Sequence, residues 1–519
     1  MRKVLAFLAI AIIAVVIAGI VFGAALKSSV RRRTERYLSA RFASQVQFSH
    51  FDIHVYPHIR LTFDNVTLRH HGRRDVPPLI EMKQLSITAS IAGLLGDKMH
   101  VRRIEADGLQ IHTPPREAGD KAEAAKPDDS SAKGNVAKFA RKYPLVIDNL
   151  RADDALLVIL RSQAGKAPRV FAIHHLELRH ANFDARSSFE AILTNPVPRG
   201  EIHCTGTFGP WDADAPRATP VDARYTFSHA DMSTIKGLSG TLSSEGEFSG
   251  PLDFLEVRGT TDIPDFALRT SAHPVHLRTS FSAIVDGTNG NVTLRRVQAG
   301  FLGSRITVAG QVADKSRAPG RTISLDAEAK DARIGDLLQL AVKAPRPPMT
   351  GSTQLHARIQ IPEGSSDLLD RLRLDGKFAV SGTRFTNPKV EARVQTLSRK
   401  GRGKPKNTGL RTQTSDLTGH FTVERGLVRF SHLGFGVTGA SIDLAGNYDM
   451  NSGAMDFRGK LRLRAGLSHT MTGIKSLALR PFDHFFKGPK AGTVLPIRIT
   501  GTKDHPSFAL DFHDKNNGQ

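Results

Sequence analysis

Apolar residues at every second position constrain this chain more than any other feature, because a segment that alternates in this way is a strand with one face to bury. Phe51, Ile53 and Val55, followed by Ile59, Leu61 and Phe63, share one face, while Asp52, His54, His58, Arg60 and Thr62 share the other. Pro57 cannot donate to a ladder, so it divides the run into two half-buried strands. The pattern continues through Val66, Leu68, Leu85, Ile87, Val101, Ile104, Leu109 and Ile111, and is interrupted at residues 91–96, which read as one helical turn.

The alternation becomes a repeat near the C-terminus. Leu417, Gly419, Phe421, Val423, Gly426, Val428 and Phe430 are echoed 27 residues later by Leu444, Gly446, Tyr448, Met450, Gly453, Met455 and Phe457. Each unit reads as a hairpin whose turn holds a glycine, where a left-handed conformation costs little. Leu374, Gly376, Phe378 and Val380 start a third unit, which reaches its turn glycine, Gly382, one residue early. Repeated hairpins predict an extended antiparallel sheet with a continuous apolar side, to be covered by a second sheet, by curling, or by lipid. Helices are expected only as short interruptions, at residues 332–341, 365–372 and 474–486.

Ahead of the strands, residues 4–26 hold no charge and no hydrogen-bonding side chain, being 14 Val, Leu, Ile or Phe, 7 Ala and 2 Gly. At about 1.5 Å per residue the stretch reaches roughly 35 Å, against a hydrocarbon core of about 30 Å. A cleaved signal peptide is the competing reading, since Met1, Arg2 and Lys3 form a basic start and Gly23, Ala24 and Ala25 resemble a cleavage site. Signal cores run only about 7 to 15 residues, which favours a retained single-pass anchor. Counting Arg2 and Lys3 against Lys27, Arg31, Arg32, Arg33 and Arg36 would keep the C-terminal side inside. A short basic start and a long following domain argue for export, because long domains translocate largely regardless of charge. Residues 27–43 read as a basic helix, lying on the membrane surface or packed on the first strands.

The chain carries 72 Lys+Arg against 50 Asp+Glu, a net charge of +22, which favours an anionic partner or a solubilising surface. With an anchor present that partner is lipid rather than nucleic acid, for which 5 Tyr and 1 Trp offer few stacking platforms. Cys204 is the sole cysteine, so no intrachain disulfide forms. Residues 114–135 are rich in Ala, Lys, Asp, Glu and Ser and read as a linker or loop. Residues 399–411, with Arg399, Lys400, Arg402, Lys404, Lys406 and Arg411, read as a solvated flexible piece.

No motif asks for an enzyme. Gly434, Gly436 and Gly439 match G-x-G-x-x-G, yet Ser441, Ile442, Asp443 and Leu444 then alternate as a strand where a dinucleotide site needs a helix. The 21 histidines include His70, His71, His174 and His175 but form no H-E-x-x-H and no zinc-ligand spacing with cysteine. No nucleophile elbow, Walker sequence or carboxylate pair stands out, so no catalytic, cofactor or metal residue is assigned.

Three parts of the chain resemble the AsmA-like family of inner-membrane-anchored proteins. They are the anchor with the strands around Tyr56, Pro57, Ile59, Leu61, Phe63, Asn65 and Val66; residues 91–111; and the C-terminal hairpins followed by Leu495, Pro496, Ile497, Arg498, Ile499, Gly501, Pro506 and Phe508. Residues 146–344 share only the alternation. The resemblance implies an anchor at 4–26, a chorein-type region at 27–113, a central β-rich region at 136–345 and an AsmA-like C-terminal region at 346–512. It implies a mostly β, periplasmic domain whose elongated, curled antiparallel sheet, a groove or a sandwich, carries phospholipid between the inner and outer membranes. Outer-membrane assembly without lipid transfer is the family's other role. The expected partners are phospholipid or another anionic envelope lipid, the membrane, and outer-membrane assembly proteins. The candidate lipid-facing residues are Phe51, Ile53, Val55, Ile59, Leu61, Phe63, Ile442, Leu444, Met455, Phe457, Leu461 and Leu463.

Overall fold

The computed structural model describes residues 44–54, 58–70, 77–90, 99–113, 145–160, 168–181, 185–210, 215–270, 273–314, 320–342, 346–403, 415–465, 492–502 and 505–511. Val55, the anchor at 4–26, the basic helix at 27–43, the turn at 91–96, the linker at 114–135 and the helix at 474–486 lie outside them. Among the described residues no helix is long and apolar enough to cross a membrane. The chain is mostly β and divides into two compact units, Met1–Ser228 with Glu245–Val257 and Val285–Gly290, and His229–Ser244 with Arg258–Ile284 and Asn291–Gln519.

In the first unit β1 (Ser44–Gln47) and β2 (His50–His54) both pair with β3 (Ile59–His70), which continues into β4 (Ile80–Ala89). The register sets Phe51 opposite Phe63 and Ile53 opposite Leu61, on the one face that the alternation predicts. β5 (Met99–Asp107) and β6 (Gln110–Thr113) both leave β4 and pair in parallel with the long β7 (Leu145–Ile159). This parallel entry is a local exception in a sheet that is otherwise antiparallel, as expected. A parallel pair needs a crossover of a dozen or more residues, and the chain between Thr113 and Leu145 is long enough to supply one. From β7 the chain runs antiparallel through β8 (Arg169–Ala181), β9 (Ser187–Pro196) and β10 (Arg199–Phe208). Among the described residues, three clusters of buried apolar residues lie in this unit.

Five strands follow: β11 (Pro220–Asp231), β12 (Leu238–Ser239), β13 (Thr241–Pro251), β14 (Leu255–Leu268) and β15 (Val275–Val285). The second unit then lays down β16 (Val292–Phe301), β17 (Ser304–Ala313), β18 (Thr322–Arg333), β19 (Met349–Ile361), β20 (Arg373–Phe385), β21 (Ser415–Glu424), β22 (Leu427–Val437), β23 (Ala440–Asp449), β24 (Ala454–Leu463), β25 (Thr493–Thr502) and β26 (Pro506–Leu510). Each of these strands pairs antiparallel with the next. Register shifts in the β16–β17, β18–β19, β19–β20, β20–β21, β21–β22 and β22–β23 ladders insert extra residues. Such bulges bend strands and raise twist, so the sheet curls rather than lying flat.

The two C-terminal hairpins form as expected, but their turns differ. β21 closes onto β22 through Arg425 and Gly426, both at positive φ (+51° and +79°), with Glu424 opposite Leu427. The two positive φ values match the turn type favoured between twisted strands. β23 closes onto β24 over the longer Asp449–Gly453 turn, where Asp449 Oδ1 accepts from the Asn451 and Ser452 amides at 2.8 and 2.9 Å. Those two amides hold the Asp449 carboxyl below the usual carboxylate range. Met450, the counterpart of strand residue Val423, therefore sits in a turn at 45% exposure. The third unit makes no hairpin at Gly382. That glycine, at φ +65°, lies inside β20 at the bulge between Val380 and Thr383, and the strand runs on to Phe385.

Helices α1 (Ile334–Ala341) and α2 (Leu368–Arg371) fall inside the expected interruptions. Helix α3 (Pro388–Gly401) was not expected, and it takes up Arg399 and Lys400, read above as flexible. Its start is written in Asn387 and Pro388. The Asn387 side chain accepts from the Lys389 amide at 2.9 Å, and proline needs no amide partner at a first helical position. Val390, Val394 and Leu397 then recur at helical spacing. At its far end the Ser398 hydroxyl donates to the Thr438 carbonyl at 2.6 Å, tying α3 to the β22–β23 turn.

Candidate functional site

The register across the second unit assembles one apolar face from strands far apart in sequence. One row of cross-strand neighbours reads Ala357, Gly376, Phe421, Phe430, Gly446, Phe457, Ile499 and Phe508 from β19 to β26. The next row reads Leu355, Phe378, Gly419, Leu433, Leu444, Gly459, Ile497 and Leu510. A third row on the same face reads Val380, Leu417, Phe435, Ile442, Leu461 and Leu495. Period two alone puts these residues on one side of each strand; only the pairings make the sides continuous.

Phenylalanine and glycine are matched across strands, which explains the repeated glycine of the sequence motif. Gly419 lies beneath the ring of Phe378, where a Cβ would come within 2.5 Å of Cε1. Gly376 lies beneath Phe421 in the same way, at 2.8 Å. The rings are then spaced across the strands at 6.0 Å (Phe378 to Phe421), 6.3 Å (Phe421 to Phe430) and 5.9 Å (Phe430 to Phe457). These separations allow tilted aromatic contacts along the face. The rings of Phe378, Phe421 and Phe457 each lie against a glycine, Gly419, Gly376 and Gly446.

The large side chains of this face are half-buried rather than sealed. Phe378, Phe421, Phe430, Leu433, Phe435, Ile442, Leu444, Met455 and Leu461 all remain partly accessible, whereas Phe457 and Leu463 are buried at 8% and 6% exposure. At the sheet edge, β26 is exposed throughout, with Phe508 at 64% and Leu510 at 48%.

The opposite face is charged. Arg358 pairs with Asp326, Arg373 with Glu424, Arg462 with Asp443 and Arg498 with Asp456, all partly or largely exposed. Arg498 donates two bonds to Asp456, at 3.0 and 2.9 Å, and holds that carboxyl below its usual range. This face also brings together a row that the sequence did not reveal: Ser431 Oγ lies 3.0 Å from His420 Nδ1, and His420 Nε2 lies 3.0 Å from Asp375 Oδ1. Ser431 is the bulged residue between Phe430 and His432, which re-aims its side chain toward His420. The three have the connectivity of a relay but stand on an open sheet, with Asp375 63% and His420 36% exposed and the adjoining backbone engaged in ladders. They serve as a cross-strand polar contact.

Compared with known proteins, the chain matches no family model, no curated protein and no solved structure. The geometry therefore carries the reading of the site.

Of the candidate lipid-facing residues, Ile442, Leu444, Met455, Phe457, Leu461 and Leu463 fall on this one face. The N-terminal set falls elsewhere. Phe51 and Phe63 are 3% and 1% exposed, in a cluster with Val46, Phe48, Val66 and Leu68 that Ile53 and Leu61 flank. Phe63 meets Phe48 at 5.0 Å and Phe51 at 4.9 Å. These two aromatics are packing residues, and Ile59 is half-buried opposite Ala89. The G-x-G-x-x-G stretch lies at the end of β22 and in the turn into β23, so no helix follows it. Among the described residues no group of three or more His, Cys, Asp or Glu could hold a metal ion.

Proposed function

We propose that this chain is an AsmA-like, membrane-anchored envelope protein whose second unit binds phospholipid acyl chains, and that it carries lipid between the inner and outer membranes. The observation behind this reading is the continuous, half-buried apolar face of β19–β26, backed by a charged face. An acyl chain laid on such a face exchanges water for Leu, Ile and Phe side chains at about 0.8 kcal/mol per CH₂. Head groups stay in water, and no bond is made or broken. The uncharged residues 4–26 would hold the protein in the inner membrane with the bulk of the chain in the periplasm. A net charge of +22 suits work beside anionic lipid.

Photo-crosslinking amino acids placed at Ile442, Leu444 and Leu461, with outward Lys460 as control, test the reading in cells. Lipid adducts found by mass spectrometry at the three inward positions and not at Lys460 are expected. Their absence from all three would sink it.

The exposed edge strand β26 favours a second reading, an assembly factor that pairs its edge with an outer-membrane protein. Crosslinks from Phe508 to protein, with no lipid on the inward positions, would select that role.

A further inference from the structure

A cleft of about 550 Å³ opens at one end of the second unit's sheet, between α2, the Arg425–Gly426 turn, the Met450–Asn451 turn and the Arg269–Thr270 segment. Its lining holds four arginines against two carboxylates. Two of the arginines are already matched. Arg269 reaches Asp367 at 3.2 Å and Asp370 at 2.7 Å, and Arg373 reaches Glu424 at 3.2 Å.

The other two are not. Arg371 donates through Nε to the Ser366 carbonyl at 3.2 Å and through a terminal nitrogen to the Pro362 carbonyl. Its stem crosses Gly364, where a Cβ would come within 2.7 Å of Arg371 Cδ. Backbone carbonyls thus fix the guanidinium without neutralising it, which lowers the ordering cost of binding an anion. Segment 365–368 that carries it is itself held, by Lys236 Nζ on the Ser365 carbonyl at 3.1 Å and the Leu368 amide on the Lys236 carbonyl at 3.2 Å. Arg425, exposed in its turn at φ +51°, has no hydrogen bond or ion pair among the described residues. Between these charges the lining includes Leu369, Leu372 and Met450, so the cleft is cationic and partly apolar.

We propose that this cleft binds a phosphate ester, with Arg371 as the fixed and Arg425 as the mobile guanidinium. Planar guanidinium forks match phosphate oxygens two at a time, and a cavity of this size accepts a small head group or metabolite. The inference stands apart from the apolar face, because every lining residue lies at the turn end of the unit and the charges, not the rows of Phe and Leu, carry it.

The test uses the full chain in neutral detergent, titrated calorimetrically with inorganic phosphate, with short-chain phosphatidic acid, and with the matching diacylglycerol. Phosphatidic acid is expected to bind more tightly than diacylglycerol, whose acyl chains can reach only the apolar face. If inorganic phosphate binds as well, a free phosphate suffices; if it does not, the ester of a lipid is the ligand. Both support a phosphate site. Arg425→Asn keeps a residue tolerant of positive φ and should weaken binding about tenfold, the worth of one charge-assisted hydrogen bond. Asn451→Asp, which adds a carboxylate to the lining, should weaken it similarly, while Arg429→Gln on the outward face of β22 should change it less than about twofold. No binding of either phosphate compound, equal binding of diacylglycerol, unchanged affinity in both cleft variants, or an equal loss in Arg429→Gln would each overturn the proposal.

Discussion

Phe63 in the first unit and Phe430 in the second are both inward residues of alternating strands, yet Phe63 is sealed at 1% exposure and Phe430 is half-buried. Around Phe63, large residues face one another: Phe51 stands opposite it in the register, and Phe48 closes over it from the β1–β2 turn. Phe430 has Phe421 opposite on β21 but only Gly446 opposite on β23. Large residues on both flanking strands, Phe51 and Leu85, with Phe48 over them exclude solvent from Phe63, while the glycine beside Phe430 leaves its ring partly open. Equal alternation thus leads to a core in one unit and to a surface in the other.

The comparison breaks most directly through truncation. Phe63→Ala should cost about 3 to 5 kcal/mol in urea denaturation, as expected for a buried aromatic. Phe430→Ala should cost about 1 kcal/mol, since it returns only part of a ring's burial. Equal costs would mean that the second face is sealed too.

The tightness of the first unit's sheet can be read at Cys204, buried at 8% exposure on β10, where desolvation pushes the thiol up to about 11 from 9.0. The unfolded chain then releases this proton at lower pH than the folded one. Stability from this group is full below pH 9 and is lost as pH rises toward 11, by at most about 2 to 3 kcal/mol. Cys204→Ser should flatten that alkaline limb of a stability-against-pH curve. An unchanged limb would show that water reaches the thiol in the folded state.

Glycines sharpen the account of the second unit. A Cβ on Gly446 would fall 2.2 Å from the Asp456 carbonyl oxygen, so Gly446→Ala should cost about 1 to 3 kcal/mol through forced backbone shifts. Gly436 has nothing within 4 Å, and Gly436→Ala should stay within about 0.5 kcal/mol. Thermal denaturation of the pair measures the difference. If Gly446→Ala is neutral, close strand approach is not what selects glycine in the repeat.

The smallest effect belongs to the outward face. Arg498→Ala should cost less than about 1 kcal/mol, because its ion pair with Asp456 is solvent-screened. Arg498 lowers the Asp456 pKa, so the contribution is present at neutral pH and is lost as pH falls through the carboxylate range. Added salt should shrink it further, and a loss insensitive to salt would assign Arg498 a packing role.

Much of this was legible in order along the chain. Alternation is a local signal, and it placed Phe51 and Phe63 on one face and marked the two C-terminal hairpins. It misjudged Gly382 because a left-handed glycine serves a bulge as readily as a turn, and only the partner strands β19 and β21 decide between them. Helix α3 was missed although Asn387, Pro388 and the spacing of Val390, Val394 and Leu397 announced it, since its flanks read as loop. The parallel entry of β7 left no local trace, because strand direction is set by a crossover and not by side-chain pattern. The Arg371 and Arg425 cleft joins residues 54 positions apart, which no spacing rule connects.

By itself the sequence determined the strand-rich class, the inward identity of Ile442, Leu444, Met455, Phe457, Leu461 and Leu463, and the uncharged stretch at 4–26, because each depends on neighbours within a few residues. Tertiary structure decided which inward residues are sealed and which line a face. Accessibility depends on what stands opposite in the register, on a glycine beside a phenylalanine ring or large residues on both flanking strands, and that pairing is made between segments the chain brings together only on folding.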